Sequence, residues 1–154
     1  MTSEQTDDFV RVAAAVPLVR PCDVAGNADS IRRLLAQAEA ADAAVAVFPE
    51  LCLTGYTCAD LFYQPALLAA AEQALADLLP CCGDRLVALG LPVRVDGRLF
   101  NCAAVVVDGR LAGVVPKTYL PNTHEFYEAR WFASAFEATA TEVKIGRASC
   151  RERV

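Results

Sequence analysis

The chain has 154 residues, of which 55% are hydrophobic and 21% charged, and a net charge of −5. This length suits one domain by the soft prior of roughly 100–200 residues each, and the hydrophobicity excludes a disordered chain. An acidic balance without a basic stripe argues against a nucleic-acid partner. No apolar run approaches the ~18–20 residues that span a bilayer, which argues against a membrane protein.

Residues 1–8 are polar and acidic and read as a loose N-terminus. Glu4, Asp7 and Asp8 stand where a secretory signal carries positive charge, so a cytoplasmic location is expected. Phe9 to Ala15 forms a short strand, closed by Pro17 and Pro21. Asn27-Ala28-Asp29-Ser30 offers helix-capping side chains. Ile31, Leu34, Leu35 and Ala38 then repeat at helical spacing, predicting a helix that ends near Ala44. Val45 to Phe48 has the uninterrupted apolar character of a strand buried on both faces. Pro49 stops it, and Leu51 to Tyr63 reads as a loop with a helical turn. Gln64 to Leu79 is a second amphipathic helix.

Three strands follow: Leu86 to Val95, Leu99 to Val107 and Leu111 to Val115. Asp96-Gly97 and Asp108-Gly109 separate them. Asp-Gly between apolar runs is a strong hairpin signal, because both residues accept positive φ. The order β-α-β-α-β-β-β predicts an α/β fold with a mixed sheet and helices on one face. The other face then needs a cover, from more chain or a second copy.

The chain has seven cysteines and one histidine, His124. The cysteines are odd in number and sit in apolar segments, which fits reduced thiols better than a disulfide framework. No CxxC pair occurs, so a Cys/His metal centre is not expected.

Glu50 and Lys117 each follow directly on a proline that closes a strand. Strand C-termini are where α/β sheets bind ligands. A buried charge needs a partner, and opposite charges at the mouths of adjacent strands would supply each other's. From spacing alone, two solvated loop residues explain the pattern as well.

The motifs FPELCLTGY around Glu50 and GVVPKTYLPNTHEFYEARWF around Lys117 resemble the nitrilase (carbon–nitrogen hydrolase) superfamily. FVRVAAA, TGYTCADLF and GVVPKTYLP…EFYEAR are more similar to one branch, the N-terminal glutaminase domain of the glutamine-dependent NAD synthetases. The resemblance covers Phe9 to about Trp131. It implies part of an α-β-β-α sandwich that pairs into a homo-oligomer, with a Glu-Lys-Cys triad and glutamine as substrate. It makes Glu50 the general base and Lys117 the stabiliser of the oxyanion. Glu128 becomes a supporting carboxylate, with a helix-surface acid as the alternative. Tyr56 becomes a substrate-binding aromatic, with plain packing as the alternative. None of Cys22, Cys52, Cys58, Cys81, Cys82 or Cys102 lies in a nucleophile motif, so the catalytic thiol is expected outside this chain. Cys52 reads as a small apolar filler and His124 as a surface residue. ATP, Mg2+ and deamido-NAD are implied only for an absent synthetase domain, and no cofactor for this one.

Residues 145–154, IGRASCRERV, match residue for residue the translation of a common sequencing-library adapter. The expected organisation is therefore an N-terminal portion of a glutaminase domain over 1–144 and a non-native tail over 145–154. A natural basic arm is the alternative. A fragment of this kind would be inactive. Two other functions remain open: part of a stand-alone amidase or nitrilase, and a non-catalytic α/β binding or scaffold domain.

Overall fold

A computed structural model describes residues 9–140, 142, 143 and 145, and the backbone of 152 and 153. The expected loose N-terminus and most of the 145–154 tail lie outside the described residues. In chain order the main elements are β1 (Val12–Ala14), α1 (Val24–Ala40), β2 (Val45–Val47), α2 (Pro65–Leu78), β3 (Leu86–Val95), β4 (Arg98–Val107) and β5 (Arg110–Pro116). A short 3-10 turn precedes α2, and a second one follows it directly. The two-residue strands β6 (Glu142–Val143) and β7 (Glu152–Arg153) pair with each other. Among the described residues no helix is long and apolar enough to cross a membrane.

The sheet order is β1-β2-β3-β4-β5. β1, β2 and β3 run parallel, then β3-β4-β5 form an antiparallel meander. Both predicted hairpins are present, with positive φ at Asp96, Gly97, Asp108 and Gly109. This is the mirror-image turn geometry that matches strand twist. The core lies between the helices and one sheet face. Ile31 and Leu35 of α1 and Leu75 and Leu78 of α2 are sealed from solvent, as are Ala46, Val87, Leu89, Ala104 and Val106 of the sheet.

The described residues cover the opposite face only around Gly90 and Asn101, which are buried, and leave the rest open. Val47 is 48% exposed and Val115 58%. This corrects the reading of β2 as a strand buried on both sides. Its run of apolar residues is continuous, yet only Ala46 and Phe48 belong to the core. β1 and β2 are also shorter than expected, at three residues each.

The first helix begins earlier than its expected cap. Asp23, not the Asn27 segment, is the N-cap, and its Oδ1 accepts the Gly26 N–H at 3.0 Å. Asn27 is buried inside α1 instead. Its amide donates to the carbonyls of Arg20 (2.9 Å) and Leu53 (3.1 Å), and its Oδ1 accepts the Arg20 N–H at 2.8 Å. The helix also ends at Ala40, short of Ala44. Asp42 takes φ 55, and Ala43 N–H reaches back to Ala38 O. Together with Asp42 N–H on Glu39 O, that is a Schellman stop.

Candidate active site

Glu50 and Lys117 are not at the mouths of adjacent strands, because β3 and β4 lie between β2 and β5. Two local features bring them together. The chain leaving β2 crosses directly over β3 at Gly90. A Cβ there would lie 2.3 Å from Leu51 N and 2.8 Å from Glu50 C, so only glycine fits. Lys117 extends the β5 ladder, its N–H donating to Asn101 O at 2.7 Å. The side-chain amide of Asn101 donates to Glu50 Oε1. One buried β4 residue thus touches both the carboxylate and the strand end that carries the ammonium.

Lys117 Nζ donates to Glu50 Oε1 at 2.7 Å and to Glu128 Oε1 at 2.9 Å. Tyr56 donates its hydroxyl to the same Glu128 oxygen at 2.6 Å. The structure therefore unites all four expected residues in one hydrogen-bonded chain, Glu50–Lys117–Glu128–Tyr56. The two carboxylates differ sharply. The Glu50 side chain is 41% exposed, that of Glu128 only 2%. The surface-acid reading of Glu128 is overturned by that burial, and the packing-only reading of Tyr56 by its hydrogen bond. Glu50, Asn101 and Lys117 also border a cleft of about 380 Å³ on the open sheet face, walled by apolar residues such as Val47 and Val115.

Burial works to lower the Lys117 ammonium, but its hydrogen bonds to Glu50 and Glu128 outweigh this and hold it above its ordinary value. The Tyr56 phenol is raised by burial and then by the Glu128 carboxylate. Lys117 is thus a firmly protonated donor and Tyr56 a neutral one.

A second ionic cluster fixes the turn Glu128–Arg130. Asp60 accepts two hydrogen bonds from the Arg130 guanidinium, both 2.9 Å, and one from Trp131 Nε1, also 2.9 Å. Those contacts, Arg130 first, pull the Asp60 carboxyl down to about 2. Glu128 N–H bonds Pro121 O, which closes the loop back on itself.

The buried thiols Cys52, Cys82 and Cys102 do not fit the requirements of the amide-hydrolysing nucleophile, which needs a lowered pKa. Burial pushes Cys52 up to about 11, Cys82 to about 11 and Cys102 to about 12. Cys102 borders the cleft but is almost fully buried. Cys52 packs in the core with its thiol 3.5 Å from Gly90 O. His124 is exposed, with φ 56, in the loop before Glu128. Among the described residues, no three His, Cys, Asp or Glu side chains gather in a way that could hold a metal ion.

Gly90 and Asn101 were not singled out from the sequence, although each carries a signal. A glycine inside a strand marks close backbone approach. A lone amide inside the apolar run of β4 must find a buried partner.

Residues 10–154 match the carbon–nitrogen hydrolase family model. The chain is 43% identical over 142 residues to the glutamine-dependent NAD(+) synthetase of Mycobacterium bovis, covering 91% of this chain and 21% of that protein. It thus spans about a fifth of that relative's length. Among solved structures, a glutamine-dependent NAD(+) synthetase from Cytophaga hutchinsonii superposes with TM-score 0.83 at 29% identity, over 93% of this chain and 24% of that one. An amidase from Nesterenkonia shares the fold, with TM-score 0.70 at 22% identity, over 82% of this chain and 48% of that one. The mixed sheet, its helical layer and the motif-bearing strand ends are those of a nitrilase-like fold, and this chain belongs to the carbon–nitrogen hydrolase family.

Proposed function

We propose that this chain is the Glu-Lys part of a glutamine amidohydrolase domain, whose ammonia feeds ATP-dependent amidation of deamido-NAD. The observation that carries this reading is the 2.7 Å pair of Glu50 and Lys117 at the edge of a cleft, backed by the buried Glu128. Amide hydrolysis needs a base, a nucleophile and a positive group for the developing oxyanion. Glu50 takes the thiol proton and later that of water. Lys117, held protonated by two carboxylates, donates to the oxyanion. Glu128 and Tyr56 orient Lys117. Glu128 Oε2 is buried without a protein partner among the described residues, and Glu128 acts through Lys117 rather than on the substrate.

The nucleophilic thiol comes from chain beyond this sequence, as do the groups that handle ATP, Mg2+ and deamido-NAD. The span of about a fifth of the relatives' length supports that division, as do the raised thiols found here. We infer a cytoplasmic enzyme that pairs with further copies across the open face.

Two measurements test this reading. The purified 154-residue chain is expected to release no ammonia from glutamine. Release above blank that Glu50→Gln abolishes would place a nucleophile within these residues and refute the division. The genomic reading frame past residue 144 is expected to encode a strand with a cysteine motif and then a synthetase. A stop codon after the cysteine strand would favour a stand-alone amidase, and the absence of any such cysteine would end the hydrolase reading.

A further inference from the structure

Away from the Glu-Lys cleft, two cysteines distant in sequence share one backbone acceptor. Cys22 lies in the turn before α1, with φ 64, and its N–H donates to Thr54 O at 2.7 Å. Cys58 donates its thiol to that same Thr54 O at 3.0 Å, with Gly55 O at 3.3 Å. The two segments are pressed together, since a Cβ on Gly55 would lie 3.0 Å from Pro21 Cα. The pair is also asymmetric. Cys22 is half-buried and borders a cleft of about 640 Å³ between the N-terminal ends of α1 and α2, with Leu61 and Leu67 opposite. Cys58 is buried behind it. Burial first, and then the neighbouring Cys22 thiol, push the Cys58 thiol up to about 12.

We propose that Cys22 and Cys58 form an oxidisable dithiol, in which a peroxide reacts at the cleft-facing Cys22 and the buried Cys58 closes an intrachain disulfide. The sulfur of the Cys22 thiolate attacks the peroxide O–O bond, which gives a sulfenic acid and releases hydroxide. The Cys58 sulfur then attacks the Cys22 sulfur, forming the S–S bond and expelling the sulfenic oxygen as water. With hydrogen peroxide the balance is two thiols and one peroxide to one disulfide and two waters. The order follows from access: Cys22 meets solvent, whereas Cys58 is shielded and held as a thiol. The disulfide ties the turn before α1 to the loop from Glu50 through Tyr56, two residues short of Cys58. The proposal stands apart from the hydrolase reading, and either can fail without the other.

The test is peptide mapping of the 154-residue chain after brief exposure to hydrogen peroxide and alkylation of the remaining thiols. The expected result is a cross-linked peptide pair carrying Cys22 and Cys58, and loss of both alkylation sites. In Cys22→Ser, Cys58 is expected to stay fully alkylatable. In Cys58→Ser, Cys22 is expected to stop at a sulfenic acid that dimedone labels. Cys81, half-buried and hydrogen-bonded by Arg32, is the rival thiol. Oxidation of Cys22 that leaves Cys58 alkylatable, or cross-links from Cys22 to Cys81 or Cys82 instead, would overturn the proposal.

Discussion

Gly90→Ala tests the crossing that delivers Glu50. The added Cβ would sit 2.3 Å from Leu51 N, 2.6 Å from Pro49 O and 2.8 Å from Glu50 C. All three are backbone atoms, so no side chain can swing aside. Ordinary contact begins near 3.4 Å, so the 49–51 segment must retreat by about 1 Å. Overpacking of this kind costs about 1–3 kcal/mol, and rigid neighbours place it at the upper end. Alanine returns about 0.4–1 kcal/mol by restricting the unfolded chain. The clash wins, leaving a net loss of about 2 kcal/mol. For a chain of ~150 residues that lowers Tm by roughly 4–8 °C. The retreat also stretches the 2.7 Å Glu50–Lys117 pair and the Leu53 N–H bond to Gly90 O. Urea unfolding followed by circular dichroism gives the stability change, and a crystal structure of the variant gives the pair distance. A Gly90→Ala chain as stable as the parent, with the ion pair unmoved, would refute the crossing as the device that positions Glu50.

Lys117→Met strands the buried Glu128 carboxylate. Breaking a buried pair costs ~3–5 kcal/mol, and the 28% exposure of Lys117 reduces that to about 2 kcal/mol. The double variant Lys117→Met/Glu128→Gln should recover at least half of the loss, and a denaturant-based mutant cycle measures the recovery. Tyr56→Phe removes the 2.6 Å bond to Glu128 and should cost about 1–2 kcal/mol, again read from urea midpoints. Asp60, held down to about 2 by Arg130 and then Trp131, contributes stability that is fully present above its unfolded value near ~3.9. That contribution is lost as pH falls through about 2. Asp60→Asn should therefore flatten the acid side of a stability–pH profile between those two values and leave its shape near neutrality unchanged.

Local physics made some elements legible in the sequence and left others hidden. The meander was readable because Asp96-Gly97 and Asp108-Gly109 solve a purely local problem, the positive φ of a tight hairpin. The face of α1 was readable because Ile31, Leu35 and Ala38 repeat at helical spacing, and all three are buried. The start of α1 was not, because Asp23 and Asn27 are both good caps four residues apart. The bonds of its side chain to Arg20 and to the distant Leu53 carbonyl explain why Asn27 lies inside the helix. The charges after Pro49 and Pro116 pointed to a site. The strand order that separates them, and the glycine crossing that reunites them, depend on contacts between residues far apart in sequence. Asn101 was missed for the same reason, since its partners Glu50 and Lys117 lie on other strand ends.

Which of the two carboxylates can act as a base follows from what surrounds them. A general base must reach a substrate proton and change its own charge during turnover. Glu128 is sealed away, and one of its oxygens is already shared by Lys117 and Tyr56. Its other oxygen, Oε2, is buried away from the cleft, so a substrate proton has no path to it. Glu50 borders the cleft, is nearly half exposed, and takes its bonds from Lys117 and Asn101 on the single oxygen Oε1. That leaves Oε2 to receive the proton while the ammonium stays anchored by Glu128. In the proposed hydrolase, the buried acid keeps the cation fixed so that the exposed acid is free to act as the base. Exchanging their roles would require the cleft to open on the Glu128 side, where Tyr56 stands.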